Sequence, residues 1–226
     1  MTDISICFGT AHRLEMLKNC VASIRKAAGS LSYEMMITDG GSNDGSLEYM
    51  REQPDIFVIE HGELRGAVAA YSDAVRAAHG DYVCYLSDDL VLTPNMISDA
   101  VDYLRKHPKC GVVSLPYRNG NGNIVCINKA TYEGKPYPFA SFGVLRRSDG
   151  DLVDWFPNTI YHYYLDTTIC MRIAKLGLTI DELPGKHVIT HYEADNITRG
   201  ERKSRTYSIK QDNAGFVEFT KELLND

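Results

Sequence analysis

An α/β fold, with a mainly parallel sheet flanked by helices, is predicted by three observations on the sequence. Short β-rich runs alternate with longer helix-like stretches over the first 115 residues. Proline and glycine stand where those helices should begin and end. After Pro116 the alternation stops and turn-rich segments take over, which predicts a smaller mixed α+β region in the second half. The 226 residues suit one large domain, and no repeat, low-complexity tract or linker divides them.

The elements follow in order. Residues 4–8, 33–38 and 56–60 read as strands, and 15–28, 46–52 and 67–78 as the helices after them, giving βαβαβα. A strand at 82–86, a helix over about 95–106 and a strand at 111–115 continue the pattern. Thr93-Pro94 reads as a cap followed by proline in the first helical position, and His107-Pro108 closes the same helix. Asn119-Gly120-Asn121-Gly122-Asn123 is a hairpin turn between Val113 and Ile127, and Glu133-Gly134-Lys135-Pro136 a loop. Leu165, Ile169, Ile173 and Leu176 recur at helical spacing, and Gly177 ends that run. Residues 198–210 are polar and basic, and 215–224 read as a terminal amphipathic helix.

Composition narrows the function classes. With 24 Lys and Arg against 30 Asp and Glu, the net charge is −6, the wrong sign for extensive nucleic-acid binding. No apolar run is long enough to span a bilayer, and residues 3–8 open on a strand rather than a leader, so a cytoplasmic chain is expected. The six cysteines lack CxxC pairs and zinc spacing, which predicts buried free thiols in a reducing compartment.

Ligands of open α/β sheets bind beyond the carboxyl ends of the strands. Four polar segments are expected on that rim: Gly9-Thr10-Ala11, the run from Asp39 to Ser46, His61 to Glu63 with Arg65-Gly66, and Ser87-Asp88-Asp89. Asp88 and Asp89 are adjacent carboxylates delivered by an apolar strand. A hard divalent cation with substrate phosphates explains them, and so does a solvated loop start. Asp39 ends an apolar run and is placed to accept from a base N–H of a bound nucleotide. Asp44 reads as the cap of the next helix.

Taken in order, Gly9-Thr10, the segment from Asp39 to Ser46, Arg65-Gly66, and Gly80-Asp81-Tyr82 leading to Leu86-Ser87-Asp88-Asp89 resemble the nucleotide-binding half of family 2 glycosyltransferases. The resemblance implies a GT-A, Rossmann-like fold. About residues 1–115 would hold a nucleoside-diphosphate sugar, with a UDP-sugar favoured, and about 116–226 an acceptor. It implies that Thr10 lines the nucleotide pocket, Asp39 pairs with the base, Arg65 lies near base or phosphates, and Asp88 contacts the ribose. Asp89 would coordinate the Mn²⁺ or Mg²⁺ bridging the pyrophosphate. Leu86 stands where the family often has a further acidic residue.

Tyr164 to Arg172 resembles the family's acidic acceptor-side region, with Leu165 and Thr168 in place of two acidic positions. The resemblance puts Asp166 at the catalytic base of an inverting transfer; the alternative is an acidic residue favoured at a helix start. Val188 to His191 resembles a late strand whose histidine completes the metal shell, making His191 a candidate third ligand. Trp155 is a sugar platform or a core residue. Arg199, Arg202, Lys203 and Arg205 form either a lid on the donor diphosphate or a solvated basic loop. The acceptor class stays open among glycans, lipid-linked carriers and other hydroxyls, a lipid carrier implying docking at the inner membrane face. Two other readings stand beside the transferase: a nucleotidyltransferase-type enzyme on a similar scaffold, and a non-catalytic nucleotide- or glycan-binding module.

Overall fold

The computed structural model describes the backbone of residues 2–192 and 199–225, and the side chains of 2–192 and 210–224. Its first half is laid down as the alternation requires: β1 (Ile4–Thr10), α1 (Leu14–Ala27), β2 (Tyr33–Asp39), α2 (Ser46–Arg51), β3 (Ile56–Glu60), α3 (Ala67–Ala77), β4 (Tyr82–Tyr85), β5 (Leu90–Val91), α4 (Met96–Lys106) and β6 (Cys110–Ser114). The second half adds β7 (Tyr117–Arg118), β8 (Ile124–Val125), β9 (Asn128–Tyr132), β10 (Lys135–Phe139), β11 (Gly143–Arg146), α5 (Arg147–Leu152), α6 (Leu165–Lys175), β12 (Thr179–Glu182), β13 (Ile189–His191) and α7 (Arg199–Asn225).

Seven strands form the main sheet in the order β12-β6-β11-β4-β1-β2-β3. β1 pairs in parallel with both β2 and β4. Period-two alternation then sorts its side chains between two cores. Ile4, Ile6 and Phe8 pack with Leu17, Ile24 and Ile97 of α1 and α4. Cys7, with Val83 and Tyr85 of β4, packs against Val75 of α3, Ile169 of α6 and Phe216 of α7. One strand, β11, runs antiparallel between β4 and β6. All six cysteines are free, five buried and Cys126 half-buried.

Several local expectations are corrected. Thr93-Pro94 does not cap a helix at residue 95: Asn95 adopts a left-handed conformation (φ 63°) and α4 starts at Met96, while Thr93 Oγ1 lies 3.1 Å from His187 Nδ1. Glu133-Gly134 is a two-residue hairpin turn with both φ positive, so Lys135 and Pro136 belong to β10 rather than to a loop. The basic segment expected as a loop is the start of α7, continuous with the terminal helix; its Arg, Lys and Glu residues are good helix formers and no proline interrupts them. Among the described residues, no helix is long and apolar enough to cross a membrane.

Candidate functional site

From β1 the chain winds outward through β2 and β3, then returns to place β4 on the other side of β1. That reversal leaves a crevice at the carboxyl ends of β1 and β4, where open α/β sheets bind ligands. A cleft of about 690 Å³ opens there. Its lining includes Thr10, Arg65, Asp88, Asp89, Asp166 and His191, so the fold brings both halves of the predicted site into one cavity.

The carboxylate pair is held from β1 and the loop after it. Thr10 Oγ1 donates to Asp88 Oδ2 at 2.7 Å. Arg13 Nη1 donates to Asp88 Oδ1 at 2.9 Å and lies 3.5 Å from Asp89 Oδ2. Burial pushes the Asp88 carboxyl above its usual range, with the Arg13 guanidinium working against it. Burial acts on Asp89 too, but His191, Ser87 and Arg13 together outweigh it and hold that carboxyl below its usual range. The two neighbours therefore differ: Asp88 is locked into hydrogen bonds, whereas Asp89 is kept ionised with Oδ1 buried and without a hydrogen-bond partner.

His191 reaches the pair through a separate four-stranded sheet, in the order β5-β13-β7-β8. β13 runs antiparallel to β5, with His191 opposite Leu90, and this register places its Nε2 3.5 Å from Asp89 Oδ1. His191 Nδ1 is also buried without a hydrogen-bond partner. One ionised carboxylate and one imidazole, each with an unmet polar atom, suit a divalent cation that accepts oxygen and nitrogen donors. Among the described residues no third His, Cys, Asp or Glu joins them, so a cation there relies on substrate oxygens or water for the rest of its shell.

Asp39 is 1 % exposed and set beneath the cleft surface, which Thr38 and Gly40 line on either side of it. Its Oδ2 accepts from Gly41 N and Ser42 N, both at 2.9 Å, while Oδ1 is buried and unpaired. Arg65 is exposed on the rim, immediately before Gly66 and α3. Asp44 is not the cap of α2, a place that Gly45 takes; from one residue earlier its Oδ1 accepts from Ser46 N at 3.1 Å.

On the opposite wall, Asp166 sits half-buried in the first turn of α6. Burial raises its carboxyl to about 6, against hydrogen bonds from Thr167 and Ser141 that favour the charged form. A carboxylate poised near neutrality in a ligand-sized cleft is suited to proton transfer. The wall beside it is the segment 161–164, from Tyr161 to Tyr164.

Sequence reasoning missed Arg13, this aromatic segment and Tyr71, which lines the cleft and donates from its hydroxyl to Leu86 O. Arg13 follows a rim strand by three residues, and that position was its only signal. Trp155 is not a platform on the cleft: it is buried, packs on Phe156 and donates from Nε1 to Asp151 Oδ1 at 2.9 Å. The side chains of Arg199, Arg202, Lys203 and Arg205 lie outside the described residues.

Residues 5–167 match the family model for glycosyl transferase family 2. The chain belongs to this family. Like other solved structures of similar shape, a mannosyltransferase, PcManGT from Pyrobaculum calidifontis, solved with GDP-Man and Mn²⁺, superposes with a TM-score of 0.69 at 17% identity, over 96% of this chain and 66% of that one. S. aureus TarS 1–349 in complex with UDP gives 0.65 at 17% identity, over 83% of this chain and 60% of that one. The same TarS fragment in complex with UDP-GlcNAc gives 0.65 at 17%, over 85% and 60%. These likenesses establish a shared GT-A fold, and this family 2 chain spans about 60–66% of the length of those structures.

Proposed function

We propose that the protein is a nucleotide-sugar-dependent, inverting glycosyltransferase that uses a divalent metal and favours a UDP-sugar. The observation that carries this reading is the pairing, in one cleft, of an ionised carboxylate and imidazole (Asp89 and His191) with a carboxylate raised to about 6 on the facing wall (Asp166). The family match and the GDP-Man, UDP and UDP-GlcNAc complexes of the similar structures support the donor class.

Each residue then has a task. Asp39 has one oxygen committed to backbone amides and one unpaired. Uracil offers a single ring N–H to such an acceptor, whereas guanine presents adjacent N–H groups that match a carboxylate with both oxygens free. This favours UDP over GDP. Asp88, fixed by Thr10 and Arg13, has lone pairs left for ribose hydroxyls. Arg13 and Arg65 bring positive charge to the phosphates. Asp89 and His191 would hold Mn²⁺ or Mg²⁺, which when bound would supply Lewis-acid charge towards the diphosphate. Asp166 takes the proton of the acceptor hydroxyl as its oxygen bonds to the anomeric carbon. The bond from that carbon to the phosphate oxygen breaks with its electron pair going to the nucleoside diphosphate, and attack opposite the leaving group inverts the centre.

The test is calorimetric titration of UDP, GDP, CDP and dTDP with and without Mn²⁺ on the wild type, Asp89→Ala and Asp166→Asn. UDP is expected to bind in a metal-dependent way, to be lost from Asp89→Ala and to be retained by Asp166→Asn. Binding of no nucleotide by the wild type would overturn the donor site.

A further inference from the structure

We infer that Asp212, on α7, is a positioning residue for the cleft wall: its carboxylate fastens the segment 161–163 that runs into the helix bearing Asp166. The inference rests on the transferase reading for its catalytic consequence. Asp212 is 0 % exposed and does not line the cleft. A buried carboxylate is costly unless it is hydrogen-bonded, and this one accepts from three consecutive backbone amides. Tyr161 N donates to Oδ1 at 2.6 Å, and His162 N and Tyr163 N donate to Oδ2 at 2.9 and 2.7 Å. Successive amides turned onto one anion form a nest, and charge-assisted bonds of this length are the strong ones. These three residues belong to no helix or strand, so α7 supplies what a sheet partner would otherwise supply.

The neighbouring contacts close the clamp. Tyr164 OH donates to Asn213 Oδ1 at 2.6 Å, and the Tyr164 ring stacks on Phe216 with centroids 4.5 Å apart. At Gly215 a Cβ would lie 2.0 Å from Thr159 O, so α7 meets this segment backbone to backbone. From the donor side, Val68 N at the start of α3 donates to Tyr161 O at 3.1 Å. The segment is therefore pinned between the donor-side helix and α7, and Tyr164, left-handed at φ 66°, hands the chain into α6 with Asp166 two residues on. Anchoring α7 alone needs only the apolar contacts that Phe216 and Phe219 already make; a carboxylate aimed at three wall amides sets the wall.

Asp212→Asn tests this, because it keeps the volume but turns an NH₂ group towards amide donors. Hydrogen exchange is expected to lose protection in residues 160–164, while α6 and the main sheet exchange as in the wild type. With Mn²⁺ and UDP-GlcNAc as probe, the rate of UDP release per folded molecule, the folded fraction being read from far-ultraviolet dichroism, is expected to show kcat lowered about tenfold and the donor KM within about threefold. Wild-type exchange in 160–164, or unchanged kcat, would overturn the inference. Should Asp212→Asn not fold, Tyr164→Phe removes only the hydroxyl bond to Asn213, and wild-type exchange and kcat in that variant would overturn the clamp. Asp166→Asn is run alongside: full UDP release by it sinks the transferase reading, whereas the exchange result still judges the clamp.

Discussion

Asp166 carries opposing demands, because the burial that tunes its proton affinity also costs the fold stability. With a folded value of about 6 against the ordinary carboxyl value of 3.8, the folded state binds more protons than the unfolded chain between those values. Wild-type stability therefore rises as the pH falls through about 6 towards 4, and the penalty is fully present at neutral pH. Asp166→Asn removes the charge and keeps an acceptor for Thr167 N. It is expected to raise Tm by about 2–6 °C at pH 7.5, a gain that shrinks below pH 6, while abolishing transfer. The wild-type rate should fall on acidification with a midpoint near 6, since only the deprotonated carboxylate accepts the hydroxyl proton. Thermal melts and a pH–rate profile read both; a Tm gain independent of pH would detach the cost from the carboxylate. Asp88 and Asp89 stand out in the sequence as adjacent carboxylates at the end of an apolar strand, and Asp166 through the resemblance of Tyr164 to Arg172 to the family's acidic segment; the fold brings all three to one cleft. Arg13 and Asp212 do not stand out. Arg13 is one of 24 basic residues with nothing local to mark it, and Asp212 lies about 50 residues from the amides it binds.

Glycine carries an equivalent constraint at the level of elements. Gly66, at φ 88°, lets α3 begin against the wall segment, and a Cβ there would lie 2.5 Å from Tyr161 O. Gly66→Ala adds a left-handed alanine and a clash with backbone, so a loss of about 2 kcal/mol, or about 4–8 °C in Tm, is expected. Exchange protection at Val68 N should drop as well, and an unchanged melt would show that the contact yields easily. The βαβ units were legible because their helices and strands differ in period. The β9–β10 hairpin was not, because Pro136 and Pro138 remove ladder donors and read as loop. A two-stranded hairpin tolerates them on its unpaired edges. The left-handed Asn95 similarly overrides a sequence in which Thr93-Pro94 looks like a helix start.

Across the whole molecule, the proposed division into a donor half and an acceptor half does not extend to the sheet. β11 comes from the second half but lies between β4 and β6 of the first, with Val144 opposite both Cys84 and Val113. Val144 and Leu145 are fully buried. Arg146, which ends the strand, donates to Leu104 O, His107 O and Cys110 O at 2.6, 3.3 and 2.8 Å, tying the last turn of α4 to the start of β6. Without β11, residues 1–115 would keep two apolar strands separated by a strand-wide gap, their amides and carbonyls unpaired and their side chains stripped of a core layer. The coupling of the site to the fold follows the same route, since α6 and α7, which set the Asp166 wall, pack on the face of the strands that β11 joins. The fragment 1–115 alone is therefore expected to lack a cooperative melt and a dispersed amide spectrum, and the full chain to unfold in one transition whether followed by Trp155 fluorescence or by far-ultraviolet dichroism. A cooperative melt in the fragment, or two separate transitions in the full chain, would show that the halves fold independently and that the strand insertion is not what unites them.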